Sequence, residues 1–159
     1  MTDLPALLRA LVDGEVAFII VGGAAATAHG SSRLTQDLDV VYERSRENIS
    51  RVARALAPHD PYLRGAPEGL PFRFDEATIR RGLNFTLTSK IGDVDLLGEI
   101  VGGGGYADLR PHTIELDLFG VRCLCLDLAK LIEVKRAAGR PKDLEVIAEL
   151  EAIRDELGR

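Results

Sequence analysis

A chain of 159 residues with 46% apolar and 28% charged side chains has the size and make-up of one globular domain, with enough core to fold without disulfide or metal staples. Its formal charge of −5 excludes a surface that grips nucleic acid all over, though not a local basic site. Two cysteines one residue apart, Cys123 and Cys125, and three scattered histidines exclude a disulfide framework and a four-ligand zinc centre. No apolar run approaches the ~18 residues a membrane span needs, and no signal-like N-terminus is visible, so the expectation is a cytoplasmic chain without membrane association. Aromatic residues are few and Trp is absent, which leaves Leu, Val, Ile and Ala to build the core.

Leu4, Leu7, Leu8 and Leu11 recur at helical spacing, predicting an amphipathic helix over 3–13 with Thr2 or Asp3 as cap and Gly14 as stop. Val16 to Val21 reads as a buried strand that runs into Gly22-Gly23. A short helix over 23–29 follows, with Gly30 just beyond its end. Asp37 to Tyr42 is the next strand, and Ser45 to Ala57 the next amphipathic helix. Residues 58–71, with four prolines, read as an irregular surface loop. A short helix is expected over 75–81, then strands over 84–89 and 93–97 joined by a hairpin-sized connection. The four glycines 102–105 lack the strand-to-helix context and the Lys-Ser/Thr of a phosphate loop, and read as a flexible connector. Residues 113–118 and 121–126 alternate around Phe119-Gly120 as a second hairpin, which places both cysteines on one face as small core side chains. Asp127 caps a helix to about Ala138. Pro141 opens a last helix, with Leu144, Ile147, Ala148, Leu150 and Ile153 expected inward. The fold class is α/β (α+β): a small mixed, twisted sheet with flanking helices and two C-terminal helices. One domain over 1–159 is expected, with a sheet core to 126 and helices from 127.

The chemistry concentrates in Asp37-Leu38-Asp39. On a strand these carboxylates share one face, with Cα atoms about 6.5–7 Å apart, and they repel unless solvated, protonated or bridged by a cation. A second pair, Asp93 and Asp95, lies in another apolar run, although acidic residues are depleted from strands. Carboxylates from adjacent strands holding two Mg²⁺ or Mn²⁺ ions roughly 3.5–4 Å apart account for both pairs. Gly22-Gly23 between a strand and a helix start offers free backbone N–H groups to an anion. It matches neither a dinucleotide fingerprint nor a P-loop.

With these residues in place, 21–41 resembles the core of the polymerase-β-type nucleotidyltransferases. Those have a strand, Gly-Gly or Gly-Ser, a short helix, Asp-x-Asp on the next strand and a third Asp on a later one. The form Gly-Gly-Ala-Ala…His-Gly-Ser-Ser-Arg-Leu-Thr-Gln-Asp-Leu-Asp is most similar to the small prokaryotic branch, which includes abortive-infection, toxin–antitoxin and antibiotic nucleotidyltransferases. Residues 131–144 resemble the C-terminal helices of that branch. The resemblance implies transfer of an NMP from an NTP to an acceptor hydroxyl with release of pyrophosphate, and extends to a toxin–antitoxin or phage-defence role. It implies that Gly22 and Gly23 face the triphosphate, and that Asp37, Asp39 and Asp95 are the catalytic metal ligands, with Asp93 the other candidate for the third carboxylate. Gly23 stands where many members have Ser, so a hydroxyl contact to phosphate falls to Ser31 or Ser32.

Lys130, Lys135, Arg136, Arg140 and Lys142 cluster in an otherwise acidic chain. A solvated helix face is one reading. The resemblance implies the other, in which Lys135 reaches the triphosphate, with Arg140 and Lys142 beside it. Arg33 precedes the metal strand and can clamp a phosphate. Asp143 matches an acidic position of the toxin-like members or is a helix-start residue, and His29 stands near the glycine turn. The acceptor is left open among tRNA, protein and small molecule, its pocket completed by variable loops, a cognate partner protein or a homodimer. The alternative function is a catalytically inactive nucleotide-sensing or partner-binding member of the same fold.

Overall fold

The computed structural model describes residues 2–33 and 35–158. Helix α1 (Leu4–Asp13) buries Leu7, Leu8 and Leu11, and Asp3 caps it by accepting the Ala6 N–H at 3.0 Å. Strand β1 (Phe18–Val21) runs straight into α2 (Gly22–Ala28), and β2 (Asp37–Tyr42) leads to α3 (Arg46–Leu56), capped by Ser45. Next come β3 (Tyr62–Leu63), α4 (Glu76–Arg81), β4 (Phe85–Ser89) and β5 (Gly92–Leu97). The pair β6 (Glu99–Ile100) and β7 (Gly104–Gly105) precedes the single turn α5 (Tyr106–Leu109). The chain closes with β8 (Thr113–Leu118), β9 (Val121–Leu126), α6 (Leu128–Ala138) and α7 (Pro141–Leu157).

Seven strands form one mixed sheet in the order β3-β4-β5-β2-β1-β9-β8. β2 is antiparallel to β1 but parallel to β5, and β1 is parallel to β9. In β2 and β5 the alternation sends Leu38, Val40, Val94 and Leu96 into the core, 0–1% exposed. Their neighbours Asp37, Asp39, Asp93 and Asp95 therefore all emerge on the opposite face. Thr2 fastens one end of this strand pair: its hydroxyl donates to the Gln36 carbonyl and accepts the Asp93 N–H. Cys123 and Cys125 are both buried, as small apolar side chains on one face of β9. Among the described residues no helix is long and apolar enough to cross a membrane.

Three expectations are corrected. Residues 58–71 are not wholly irregular. Tyr62 and Leu63 pair with β4 as an edge strand, a place where nearby prolines cost no ladder bond. The scarce aromatics gather beside it, with Tyr62–Phe72, Phe72–Phe74 and Phe74–Phe85 centroids 6.0, 6.5 and 5.6 Å apart. The glycine run is no loose connector either. Gly104 and Gly105 pair with Ile100 and Glu99, and Gly102 sits at φ +77° where a Cβ would stand 2.4 Å from the Ala137 Cβ. Those glycines let a tight turn press onto α6. Finally, α7 is rotated from the expected face. Leu144 and Ala148 point outward while Asp143, Val146, Ile147 and Leu150 point in. Leu144 is 56% exposed, and Asp143, held inside by two cations described below, sets the rotation.

Asn48 is the polar clamp of this scaffold. Only 2% exposed, it accepts the Ala17 N–H at 2.7 Å and donates to the carbonyls of Ala17 at 3.0 Å and Glu43 at 2.7 Å. It thereby ties α3 to the start of β1 and the end of β2. Asn48→Ala takes this partner from the half-buried Ala17 N–H and Glu43 carbonyl, each worth about 1–3 kcal/mol when left unpaired, while the Ala17 carbonyl keeps the Glu43 N–H at 3.1 Å. The expected loss is about 2–4 kcal/mol in urea unfolding with an unchanged m-value. A loss under about 0.5 kcal/mol would remove the clamp from this account.

Candidate active site

The parallel register of β2 and β5 sets Asp37 opposite Asp93 and Asp39 opposite Asp95. One oxygen from each of Asp37, Asp39 and Asp95 lies within 4.8 Å of the other two. Asp93 is outside that trio, two residues along β5 from Asp95 and opposite Asp37. The chain turn behind the trio is shaped by it. Gly22 sits at φ +68°, and a Cβ there would stand 2.2 Å from Asp39 Oδ2. Only glycine leaves both the turn and the carboxylate in place. A side chain at Gly23 would meet the Thr35 hydroxyl at 2.9 Å, and that hydroxyl donates to the Asp37 carbonyl at 2.8 Å. Thr35 thus fills the space that a residue-23 side chain would enter.

A cleft of about 270 Å³ opens in front of Asp37, Asp39, Gly22 and Gly23. Its other wall carries Arg33, Lys135, Arg140 and Lys142, so these residues, distant in sequence, surround one space. Lys135 is 9% exposed, with its ammonium 3.8 Å from Asp143. Arg140 grips the same carboxylate as a fork, Nε to Oδ2 at 2.7 Å and Nη2 to Oδ1 at 3.2 Å, while Asp143 also accepts the Arg140 backbone N–H. Asp143 therefore binds the two basic residues to the start of α7. Ser31 also lines the cleft, but its hydroxyl and that of Ser32 are given to Glu149, and Arg33 pairs with Glu145 at 3.3 Å. These contacts lash the segment before β2 to α7. The His29 ring meets the Leu126 carbonyl through Nε2 at 2.7 Å, away from the carboxylates. A second, more apolar cleft of about 350 Å³ meets the first at Asp39 and Lys135, lined by Leu97, Ile100, Val101, Val134 and Ala138.

Sequence reasoning missed one residue that touches the carboxylates. Arg64, just beyond β3, reaches across β4 to place Nη2 2.9 Å from Asp95, Nε 3.4 Å from Asp93 and Nη1 3.5 Å from Asp37. No periodicity marks it, because it follows a two-residue strand in a proline-rich stretch. The only available signal was arithmetic: two Asp pairs need a cation, and the basic residues of the tail are not the only ones.

Burial pushes the Asp39 carboxyl up to about 8, helped by the Asp37 charge and by Asp95 beside it. Asp37 is raised too, by burial and then by the Asp95 charge, against the pull of Arg64 and Lys142. Lys135 is lowered by burial, opposed by the charges of Asp143 and Asp39. Burial works to raise Asp143, but the hydrogen bonds and charge of Arg140, with Lys135, hold it below the ordinary carboxylate value. Among the described residues Asp39 Oδ1 is buried without a hydrogen-bond partner. An orphaned oxygen among all-carboxylate donors fits a hard divalent cation such as Mg²⁺ or Mn²⁺, with Asp37, Asp39 and Asp95 as its ligands.

No protein-family model matches this sequence, and no curated protein matches it. Solved structures do resemble it. The lincosamide antibiotic adenylyltransferase LnuA, bound to lincomycin, superposes with a TM-score of 0.64 over 95% of this chain and 96% of its own, at 14% identity. A Thermotoga maritima protein assigned to the nucleotidyltransferases superposes with a TM-score of 0.53 over 98% of this chain and 90% of its own, at 13% identity. At such identities the likeness is one of fold: this chain has the mixed-sheet fold that those nucleotidyltransferases share.

The raised Asp39 carboxyl predicts a pH-dependent stability. Between about pH 4 and about pH 8 the metal-free folded chain holds a proton on Asp39 that the unfolded chain releases, so its contribution to stability falls as pH rises through that window. Asp39→Asn removes this dependence. In chelator, the urea midpoint of Asp39→Asn is expected to exceed wild type increasingly from about pH 5 to about pH 8. Excess Mg²⁺ or Mn²⁺ is expected to stabilise wild type alone. Parallel pH profiles for the two chains would contradict the assignment of the proton to Asp39.

Proposed function

We propose that the chain is a nucleotidyltransferase that moves a nucleoside monophosphate from an NTP to an acceptor hydroxyl and releases pyrophosphate. The observation that carries this reading is the juxtaposition of Asp37, Asp39 and Asp95 with a cationic cleft entered over Gly22-Gly23. The fold shared with LnuA, named as an adenylyltransferase, supports it.

In this reading Asp37, Asp39 and Asp95 hold the metal. A bound Mg²⁺ or Mn²⁺ neutralises triphosphate charge and makes a neighbouring hydroxyl more acidic. The backbone N–H groups at Gly22 and Gly23 meet phosphate oxygens. Lys135 and Arg140, fixed by Asp143, and Lys142 and Arg33, at the rim, bind the β- and γ-phosphates and stabilise the charge that develops on pyrophosphate. Asp95 takes the proton from the acceptor hydroxyl. The walls bring donor and acceptor into line, and positioning supplies much of such a rate.

The acceptor we favour is a small molecule with a free hydroxyl. The apolar cleft of about 350 Å³ beside Asp39 is in the size range of small-ligand pockets. A lincosamide adenylyltransferase with lincomycin bound also shares this fold over 95% of the chain. tRNA and protein acceptors, and the toxin–antitoxin role tied to them, are the competing arms of the test.

Each labelled NTP is incubated with Mg²⁺ or Mn²⁺ and separate pools of hydroxyl-bearing antibiotics, tRNA and proteins. Transfer is expected to the antibiotic pool, falling by about a thousandfold in Asp39→Ala and Asp95→Ala. Lys142→Ala is expected to act chiefly on the KM for NTP, by roughly tenfold. Transfer to tRNA or protein alone would move the acceptor class. NTP binding without transfer to any pool would favour an inactive, nucleotide-sensing chain.

A further inference from the structure

The carboxylate cluster already contains a cation. Asp37, Asp93 and Asp95 all lie within 3.5 Å of the Arg64 guanidinium, and the contacts of that guanidinium leave Asp39 Oδ1 without a partner. Given the nucleotidyltransferase reading, on which this rests, we infer that Arg64 stands in for one of the two divalent ions that such a carboxylate set accommodates. The chain then loads a single ion, centred on Asp39 within the Asp37–Asp39–Asp95 trio, with Arg64 as the fixed positive charge on the side of the trio nearer Asp93.

Three observations argue that Arg64 belongs there. Its backbone N–H donates to the Thr86 carbonyl at 3.1 Å, continuing the β3–β4 pairing, so its Cα is tied to the sheet. Its Nη2 donates both to the Leu87 carbonyl at 2.8 Å and to Asp95 at 2.9 Å, while Nε, 3.4 Å from Asp93, makes no hydrogen bond among the described residues. The side chain is only 27% exposed. If the guanidinium left, half-buried acceptors would lose a charge-assisted donor, which typically costs more than one neutral hydrogen bond. Charge balance points the same way. A second dication beside a guanidinium already within 3.5 Å of its ligands would face a like charge at close range. Asp39 lies on the other side of the trio, next to Gly22 and the cationic cleft, where an ion arriving with the triphosphate enters.

The test counts ions rather than turnover. Equilibrium dialysis of Mn²⁺ is run against the full chain saturated with a non-hydrolysable ATP analogue, with free Mn²⁺ read by electron paramagnetic resonance. Wild type is expected to hold one ion per chain, and Arg64→Ala and Arg64→Gln two. Free guanidinium at millimolar concentration is expected to return Arg64→Ala to one ion and to leave wild type unchanged, a response that a merely structural arginine would not give. Circular dichroism identifies a variant that fails to fold, and Arg64→Gln, which keeps the size of the side chain, is then read in place of Arg64→Ala. Two ions on wild type overturn the inference whatever the variants do. One ion on wild type and on a folded variant overturns it as well. No analogue-dependent Mn²⁺ binding by any chain, with analogues of the other three NTPs run as well, instead overturns the nucleotidyltransferase reading.

Discussion

Four carboxylates on one face of two adjacent parallel strands form the constraint to which the rest of the site answers. β2 and β5 pair in a register that sets Asp37 beside Asp93 and Asp39 beside Asp95. Their repulsion has no solution inside the pair itself, because the apolar alternation that buries Leu38, Val40, Val94 and Leu96 forces all four to the same side. Each feature nearby reads as a response. Arg64 enters from the sheet edge, Asp39 is displaced toward its protonated form, and Gly22 gives up its side chain so that Asp39 has room. Such a cluster costs stability in the metal-free chain, a cost that a bound cation would relieve.

The opposing wall solves the converse problem. Lys135 is almost buried, and a buried ammonium needs a counter-charge. Asp143, turned inward on α7, supplies it and holds Arg140 by a two-point fork at the same time. That one contact explains why α7 shows Leu144 to solvent and ties the junction between α6 and α7 together where it faces the cleft. Glu149 and Glu145 extend the attachment by holding Ser31, Ser32 and Arg33. The cationic wall is therefore built jointly by the segment before β2, by α6 and by the start of α7, and motion of α7 would move it.

The carboxylate pairs, the glycine turn and most helix limits were legible from residue order, because each rests on local physics. Caps at Asp3 and Asp127, the period-two alternation of the strands and the turn at Phe119-Gly120 act over a few residues. What escaped rests on long-range pairing. A two-residue strand at Tyr62–Leu63 has no period to detect, so Arg64 beyond it looked like part of a surface loop. The glycine run looked flexible because its reason, the close approach of Ala137, lies on another helix. The inward turn of Asp143 defied the apolar pattern of its helix because Lys135, on the preceding helix, draws it inward together with Arg140 three residues before it.

Sequence alone determined that two strands would each carry a carboxylate pair on one face, that a glycine turn would open toward them, and that basic residues would return in the tail. These follow from side-chain alternation and backbone sterics, which need no knowledge of the fold. Only the tertiary structure decided which carboxylates meet, since that depends on the β2–β5 register. It also decided which cation answers them. Arg64 stands 27 positions from Asp37 and 31 from Asp95 in the chain, and only a sheet edge folded back beside β4 brings its charge to them.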